Sequence, residues 1–237
     1  MRPILLARCD PDETFGVALD AFEEAGAPVE IWQALDGAPP PELDEAAGVV
    51  VFGSTYNVEH ADDQPFIGEL RKLTLDAIER RVPYLGVCFG AQVLAWSLGG
   101  DVGKAAAREF GFVPVHPTPA ASDDDLFGHL ADGDMAFQWH MDTFELPPGA
   151  ELLVRGDEIE HQAFRIGDRA WAAQFHFEVD GAELEHWLQA YGPEAQLLAD
   201  WGRSWADVRE QTRAHLAAHE ARGREIFRRF AEVARGS

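Results

Sequence analysis

The chain has 237 residues, of which 46% are hydrophobic, 26% charged and 11% aromatic; this is enough apolar matter for one or two domains with a buried core, and it excludes a disordered or fibrous chain. Forty-two acidic residues against nineteen basic leave a net charge of −23, which repels phosphate backbones and anionic lipid surfaces, so neither nucleic acid nor membrane is expected as a partner. No run approaches the ~18 apolar residues of a membrane helix, the N-terminus lacks a secretory apolar core, and two cysteines, Cys9 and Cys88, are too few for a disulfide framework, so a cytoplasmic protein with free thiols is expected.

Along the chain, short apolar runs at 4–7, 29–32, 48–52 and 84–87 alternate with helical spacing at 14–25 and 64–80. That is the pattern of parallel strands joined by crossover helices. The proline-rich segment 36–45 reads as a surface loop. After Gly100 the candidate strands shorten, at 111–116, 135–139, 151–154, 162–166 and 170–175, with Ile166-Gly167-Asp168-Arg169 as a hairpin turn. These extend the same sheet. From 182 onward the sequence is charged and helix-forming, broken at Gly192-Pro193, with a long run over 205–233. Its apolar stripe includes Val208, Leu216, Phe227 and Phe230, and such a stripe packs on its own domain or docks a second protein. The expected organisation is a domain over 1–190 with a helical appendage over 191–237 packed on it.

The densest chemistry lies at Pro83-Tyr84-Leu85-Gly86-Val87-Cys88-Phe89-Gly90-Ala91-Gln92, an apolar strand running through G-x-C-x-G into a helix. This is the cysteine form of a nucleophile elbow, where the reactive residue occupies a sharp strand-to-helix turn. Gly86 and Gly90 leave room that a Cβ would fill, and the helix N-terminus brings its positive dipole end and backbone N–H groups to the sulfur. A buried structural cysteine beside two packing glycines has the same pattern, so a partner is required. Gln174-Phe175-His176-Phe177-Glu178 supplies one: on a strand the side chains of His176 and Glu178 share a face, giving a base oriented by an acid. The competing reading is a strand-end histidine beside a solvated glutamate.

Other chemistries find less support. The H-x-E of zinc deaminases requires a downstream P-C-x-x-C that is absent. His215 and His219 are four apart, but the glutamate a zincin carries after its first histidine is missing, and no third ligand is indicated. No phosphate-binding loop occurs, and neither metal nor cofactor is expected.

Taken together these residues resemble the class I, triad-type glutamine amidotransferases, in particular stand-alone proteins similar to the amidotransferase part of GMP synthase. The resemblance spans 48–178. It implies an α/β, flavodoxin-like fold: a mostly parallel central sheet with helices on both faces, plus the helical C-terminal extension. It also implies that Cys88 attacks the side-chain amide of glutamine, giving a γ-glutamyl thioester and ammonia, with His176 and Glu178 completing the triad. The backbone of Gly53 and Ser54 and the N–H of Phe89 would hold the oxyanion, while Gln92, Trp139 and His140 border the substrate; His140 reads equally as a rim residue.

Three departures accompany the resemblance. Ser54 and Thr55 stand where the family has glycine and proline, leaving the peptide orientation at the oxyanion open. Phe177 replaces the proline of H-P-E, which is expected to alter the entrance. The S-G-G-x-D-S adenylation loop is absent, so any ammonia-accepting synthetase would be a separate chain. A γ-glutamyl peptidase with the same triad is the second reading. A non-catalytic stress protein on the related intracellular-protease fold is the third, ranked last because Phe89 follows the elbow cysteine where that group has histidine.

Overall fold

In the computed structural model, which describes residues 2–236, nine strands form one sheet in the order β2-β1-β3-β4-β9-β8-β7-β5-β6. The parallel part comprises β1 (Ile4–Arg8), β2 (Val29–Gln33), β3 (Gly48–Val51), β4 (Tyr84–Val87) and β9 (Ala170–Ala173). The antiparallel extension comprises β8 (Ala163–Ile166), β7 (Ala150–Gly156), β5 (Val102–Pro117) and β6 (Asp134–Phe144). The α/β class and the four early strands are as the sequence pattern indicates, and β8 and β9 are joined by the hairpin read at Gly167.

Strand alternation divides the core into two layers. Ile4, Leu6, Val50 and Phe52 face α1 (Ala18–Glu24) and α6 (Trp205–Arg235). Leu5, Ala7, Val49 and Val51 face α2 (Pro65–Glu79) and α3 (Phe89–Ser97). Both faces of the parallel strands are thereby buried, which explains why they read as continuous apolar runs. The C-terminal half of α6 is part of this core, with Ile226, Phe227 and Phe230 fully buried. Its N-terminal half packs with α4 (Gly181–Tyr191) and α5 (Glu194–Trp201) over Phe110, Phe112 and Phe137.

Two elements differ from their sequence pattern. The helix expected over 14–25 begins only at Ala18, because Phe15 and Gly16 adopt φ of 70° and 45° and turn the chain sharply. Strand β5 is far longer than 111–116, and its partner β6 longer than 135–139, since the first half of β5 is an exposed to half-buried ribbon of alanines and charged residues without bulky or β-branched periodicity.

Candidate active site

Register brings the site together. Strands β4 and β9 are parallel neighbours with Val87 opposite Ala173, so whatever follows each strand emerges at the same edge. Cys88 follows β4, the segment 174–178 follows β9, and Gly53 and Ser54 follow β3 on the other side of β4. The carboxyl ends of parallel strands are where open α/β sheets place ligands.

Cys88 caps α3 with φ 49° and ψ −103°, a region that costs a non-glycine residue of the order of 1–3 kcal/mol and persists only where its surroundings enforce it. The enforcing contacts are the close approaches of the flanking glycines. A Cβ on Gly86 would lie 2.5 Å from the Gly90 carbonyl, and one on Gly90 would lie 2.0 Å from the Val51 oxygen. The Cys88 N–H donates to the Ala173 carbonyl at 2.8 Å, anchoring the turn to β9.

After β9 the chain bends across to β6, the His176 N–H donating to the Phe137 carbonyl at 2.8 Å. Phe175 and Phe177 enter the core, while His176 and Glu178 pair outside it. Phe177 packs against Phe227 at 5.1 Å, so the expectation that it alters the entrance is corrected: its ring points away from the cavity. His176 Nδ1 lies 2.6 Å from Glu178 Oε1, and Glu178 is wholly buried, not solvated. Burial by itself pulls the imidazole down, yet the charge and hydrogen bonds of the Cys88 sulfur and the Glu178 carboxylate hold it well above the ordinary histidine range. Nδ1 is engaged by Glu178, which leaves Nε2 for the sulfur. Gly53 closes the third side: a Cβ there would sit 2.9 Å from His176 Cε1 and 3.9 Å from Cys88 Cβ.

The loop after β3 is tied by side chains where the family pattern has proline. The Ser54 hydroxyl donates to the Cys9 carbonyl at 2.7 Å and accepts from the Tyr56 N–H, while the Thr55 N–H and hydroxyl donate to Asp10 at 2.9 and 2.8 Å. These bonds fix the loop without using the N–H of Gly53 or Ser54. Gln92 donates to the Asp142 carbonyl and to Gln174, both at 3.3 Å, and Gln174 in turn reaches the Cys88 sulfur at 3.6 Å. His140 is buried, with Nδ1 at the Asp142 carbonyl and Nε2 at Glu109 and Gln138, so both ring nitrogens are engaged. Trp139 presents a partly exposed ring to the cavity.

A cavity of about 680 Å³ opens over Cys88, His176 and Gln92. Several residues at or behind the site escaped the sequence reading. Gln174 stands beside the H-x-E motif, and its buried, strand-end position was the available signal. Glu13 and Glu183 lie behind Glu178: Glu183 accepts from the N–H and hydroxyl of Thr14 at 2.9 Å, and burial together with neighbouring carboxylates pushes both acids up. Nothing local in the sequence joins residues so far apart. Cys9 is fully buried away from this cavity, its thiol pushed up by burial and by Glu13 and Asp10. His215 and His219 pack their rings on Phe112, and among the described residues no group of three or more metal-ligating side chains is assembled.

The sequence profile described as Glutamine amidotransferase class-I matches residues 15–190. The chain belongs to this family. Among curated class I amidotransferase relatives, the glutamine-hydrolyzing GMP synthase of Porphyromonas gingivalis is 34% identical over 146 residues, 61% of this chain and 27% of that protein. The chain thus spans about a quarter of the length of that relative. Gamma-glutamyl peptidase 3 of Arabidopsis thaliana is 30% identical over 193 residues, 74% of this chain and 75% of that one. Among solved structures, a glutamine amidotransferase from Thermotoga maritima superposes with a TM-score of 0.86 at 26% identity, covering 98% of this chain and 99% of its own. A glutamine amido transferase from Methylobacillus flagellatus gives a TM-score of 0.87 at 25% identity, with 98% and 95% covered.

Proposed function

We propose that this class I amidotransferase hydrolyses the side-chain amide of glutamine or of a γ-glutamyl compound through Cys88, His176 and Glu178. The carrying observation is the buried His176–Glu178 pair at 2.6 Å, beside the sulfur of a strained elbow, whose surroundings raise the imidazole above its ordinary range. The sulfur attacks the amide carbonyl carbon and a tetrahedral oxyanion forms toward the N–H groups of Gly53, Ser54 and Phe89. His176 then gives its proton to the departing nitrogen, the C–N bond breaks, and a γ-glutamyl thioester remains. Water, deprotonated by His176, attacks the thioester and releases glutamate, restoring the ion pair. Glu178 stays ionised throughout and holds the imidazole tautomer. Gln92 and Trp139 border the substrate, and His140 acts there through its hold on the Asp142 backbone.

A γ-glutamyl peptidase reading uses the same steps with an amine in place of ammonia, and the similarity to the Arabidopsis peptidase over 75% of its length favours keeping it. If ammonia is the product, a separate synthetase is the acceptor. No helix among the described residues is long and apolar enough to cross a membrane, and a cytoplasmic setting that keeps Cys88 reduced suits the chemistry. In this reading residues 191–237 belong to the same domain as 1–190. The deciding experiment incubates the purified chain with glutamine and a panel of γ-glutamyl amides, follows ammonia and amine release, and traps the thioester on Cys88 by intact mass. Absence of both acylation and turnover with every donor overturns the reading.

A further inference from the structure

The cavity has two chemically different ends. On one side of Cys88 lie Asn57, Gln92 and Asp142, polar groups joined by hydrogen bonds, with the Asn57 amide donating to Asp142. That end suits the ammonium and carboxylate of an amino acid. The other end lies on the His176 side and is aromatic. Trp187 packs edge-on against the imidazole at 5.1 Å, Trp139 lies 6.1 Å from Trp187, and Tyr191 lies 5.5 Å from Trp139. Trp201 continues the wall, its indole N–H donating to the Tyr191 hydroxyl at 3.0 Å. All four rings line the cavity and remain partly exposed.

Volume separates these ends from a simple glutamine pocket. At a water molecule's share of ~30 Å³ per non-hydrogen atom, glutamine occupies at most about 300 Å³. The cavity offers about 680 Å³. Trp187 packs on the His176 ring, and the departing nitrogen takes its proton from that ring, so a substituent on the nitrogen is placed beside the aromatic wall.

Charged groups also border this end. The Asp200 carboxylate accepts from the Tyr191 hydroxyl and from Gln196 at 2.6 Å, Arg108 donates to the Asp200 carbonyl at 3.0 Å, and Asp12 faces His186 at 3.4 Å. The four rings give a ligand a continuous apolar surface, and the carboxylates of Asp12 and Asp200 beside them make a cationic substituent the competitor to be tested. Tyr191 and Trp201 lie just beyond the segment 15–190 that the family profile matches.

Resting on the proposed hydrolysis, we infer that the preferred donor is an N-substituted γ-glutamyl amide whose amine carries an aromatic or bulky apolar group. The reaction is the hydrolysis already written: the thioester forms as the substituted amine leaves with the proton of His176, and water releases glutamate.

The test uses the full chain with four donors: glutamine, γ-glutamyl ethylamide, γ-glutamyl phenethylamide and the cationic γ-glutamyl 4-aminobutylamide. The phenethylamide is expected to exceed the ethylamide in kcat/KM by at least about tenfold, the order expected for burying one apolar ring. Trp201→Ala and, separately, Tyr191→Ala are expected to collapse that ratio toward one, with Trp201→Phe retaining most of it. A phenethyl-to-ethyl ratio of one or less in the unmodified enzyme, or the cationic donor ranking first, overturns the inference even if every variant misfolds. Acylation of Cys88 without any such preference defeats this inference alone, whereas no acylation by any donor defeats the underlying function as well.

Discussion

The backbone N–H of Cys88 is hydrogen-bonded at 2.8 Å to the carbonyl of Ala173, three residues before His176. The bond joins the turn that carries the sulfur to the strand that delivers the imidazole. Relative placement of the two reactive groups therefore depends on the β4–β9 pairing and not on a mobile loop.

Cys88→Ala and His176→Ala are each expected to lower turnover of the best donor by at least about 10³-fold, since the members of such a unit fail together. Glu178→Gln is expected to lose less than Cys88→Ala, because the attacking atom remains while its base is misoriented. Steady-state product release measures all three, and wild-type rates in either alanine variant refute the triad.

Gly53→Ala places a methyl group 2.9 Å from His176 Cε1. The ring must shift, and a displacement near 1 Å from reactive geometry costs about 10²-fold in rate. The expected signature is a fall in kcat with an unfolding midpoint close to wild type. Gly90→Ala differs, because its methyl group meets the Val51 backbone at 2.0 Å; it is expected to destabilise the fold by about 2–3 kcal/mol in urea titrations.

Alkylation should distinguish the two thiols. Cys9 is fully buried with its thiol pushed up, whereas Cys88 opens on the cavity. Brief iodoacetamide treatment of the folded protein is expected to add one label, located at Cys88 by peptide mass, and Cys9→Ala should retain turnover. Label on Cys9 in the folded state contradicts this account.

Glu13 supplies a pH test. Burial and the nearby Glu183 and Glu178 carboxylates raise its folded-state value above the ordinary 4.5, so the folded protein keeps a proton that the unfolded chain releases. Its contribution is complete below about pH 4.5 and is lost as pH climbs toward the folded value. Glu13→Gln removes this titration, so its urea midpoint is expected to fall less steeply than wild type between about pH 4 and 8. Parallel curves rule the mechanism out.

The geometry of the candidate site was legible because its constraints are local: G-x-C-x-G encodes the clearance at Gly86 and Gly90, and His176 and Glu178 pair at a spacing of two. Of the aromatic wall only Trp139 was read from the sequence, since Trp187, Tyr191 and Trp201 come from α4 and α5 and join it only when those elements pack against β6. Phe177 was misjudged for the opposite reason. Its place between two site residues suggested the entrance, yet its ring enters the core. The late start of α1 reflects the backbone at Phe15 and Gly16, which no apolar spacing announces.

The packing of α6 bears on how the protein is made. Phe227 and Phe230 cover a sheet face built largely from the first fifty or so residues, and Gly223 approaches so closely that a Cβ would lie 2.0 Å from the Phe177 carbonyl. During translation that face stays uncovered until α6 has left the ribosome, so protease resistance of the nascent polypeptide is expected only once α6 has emerged.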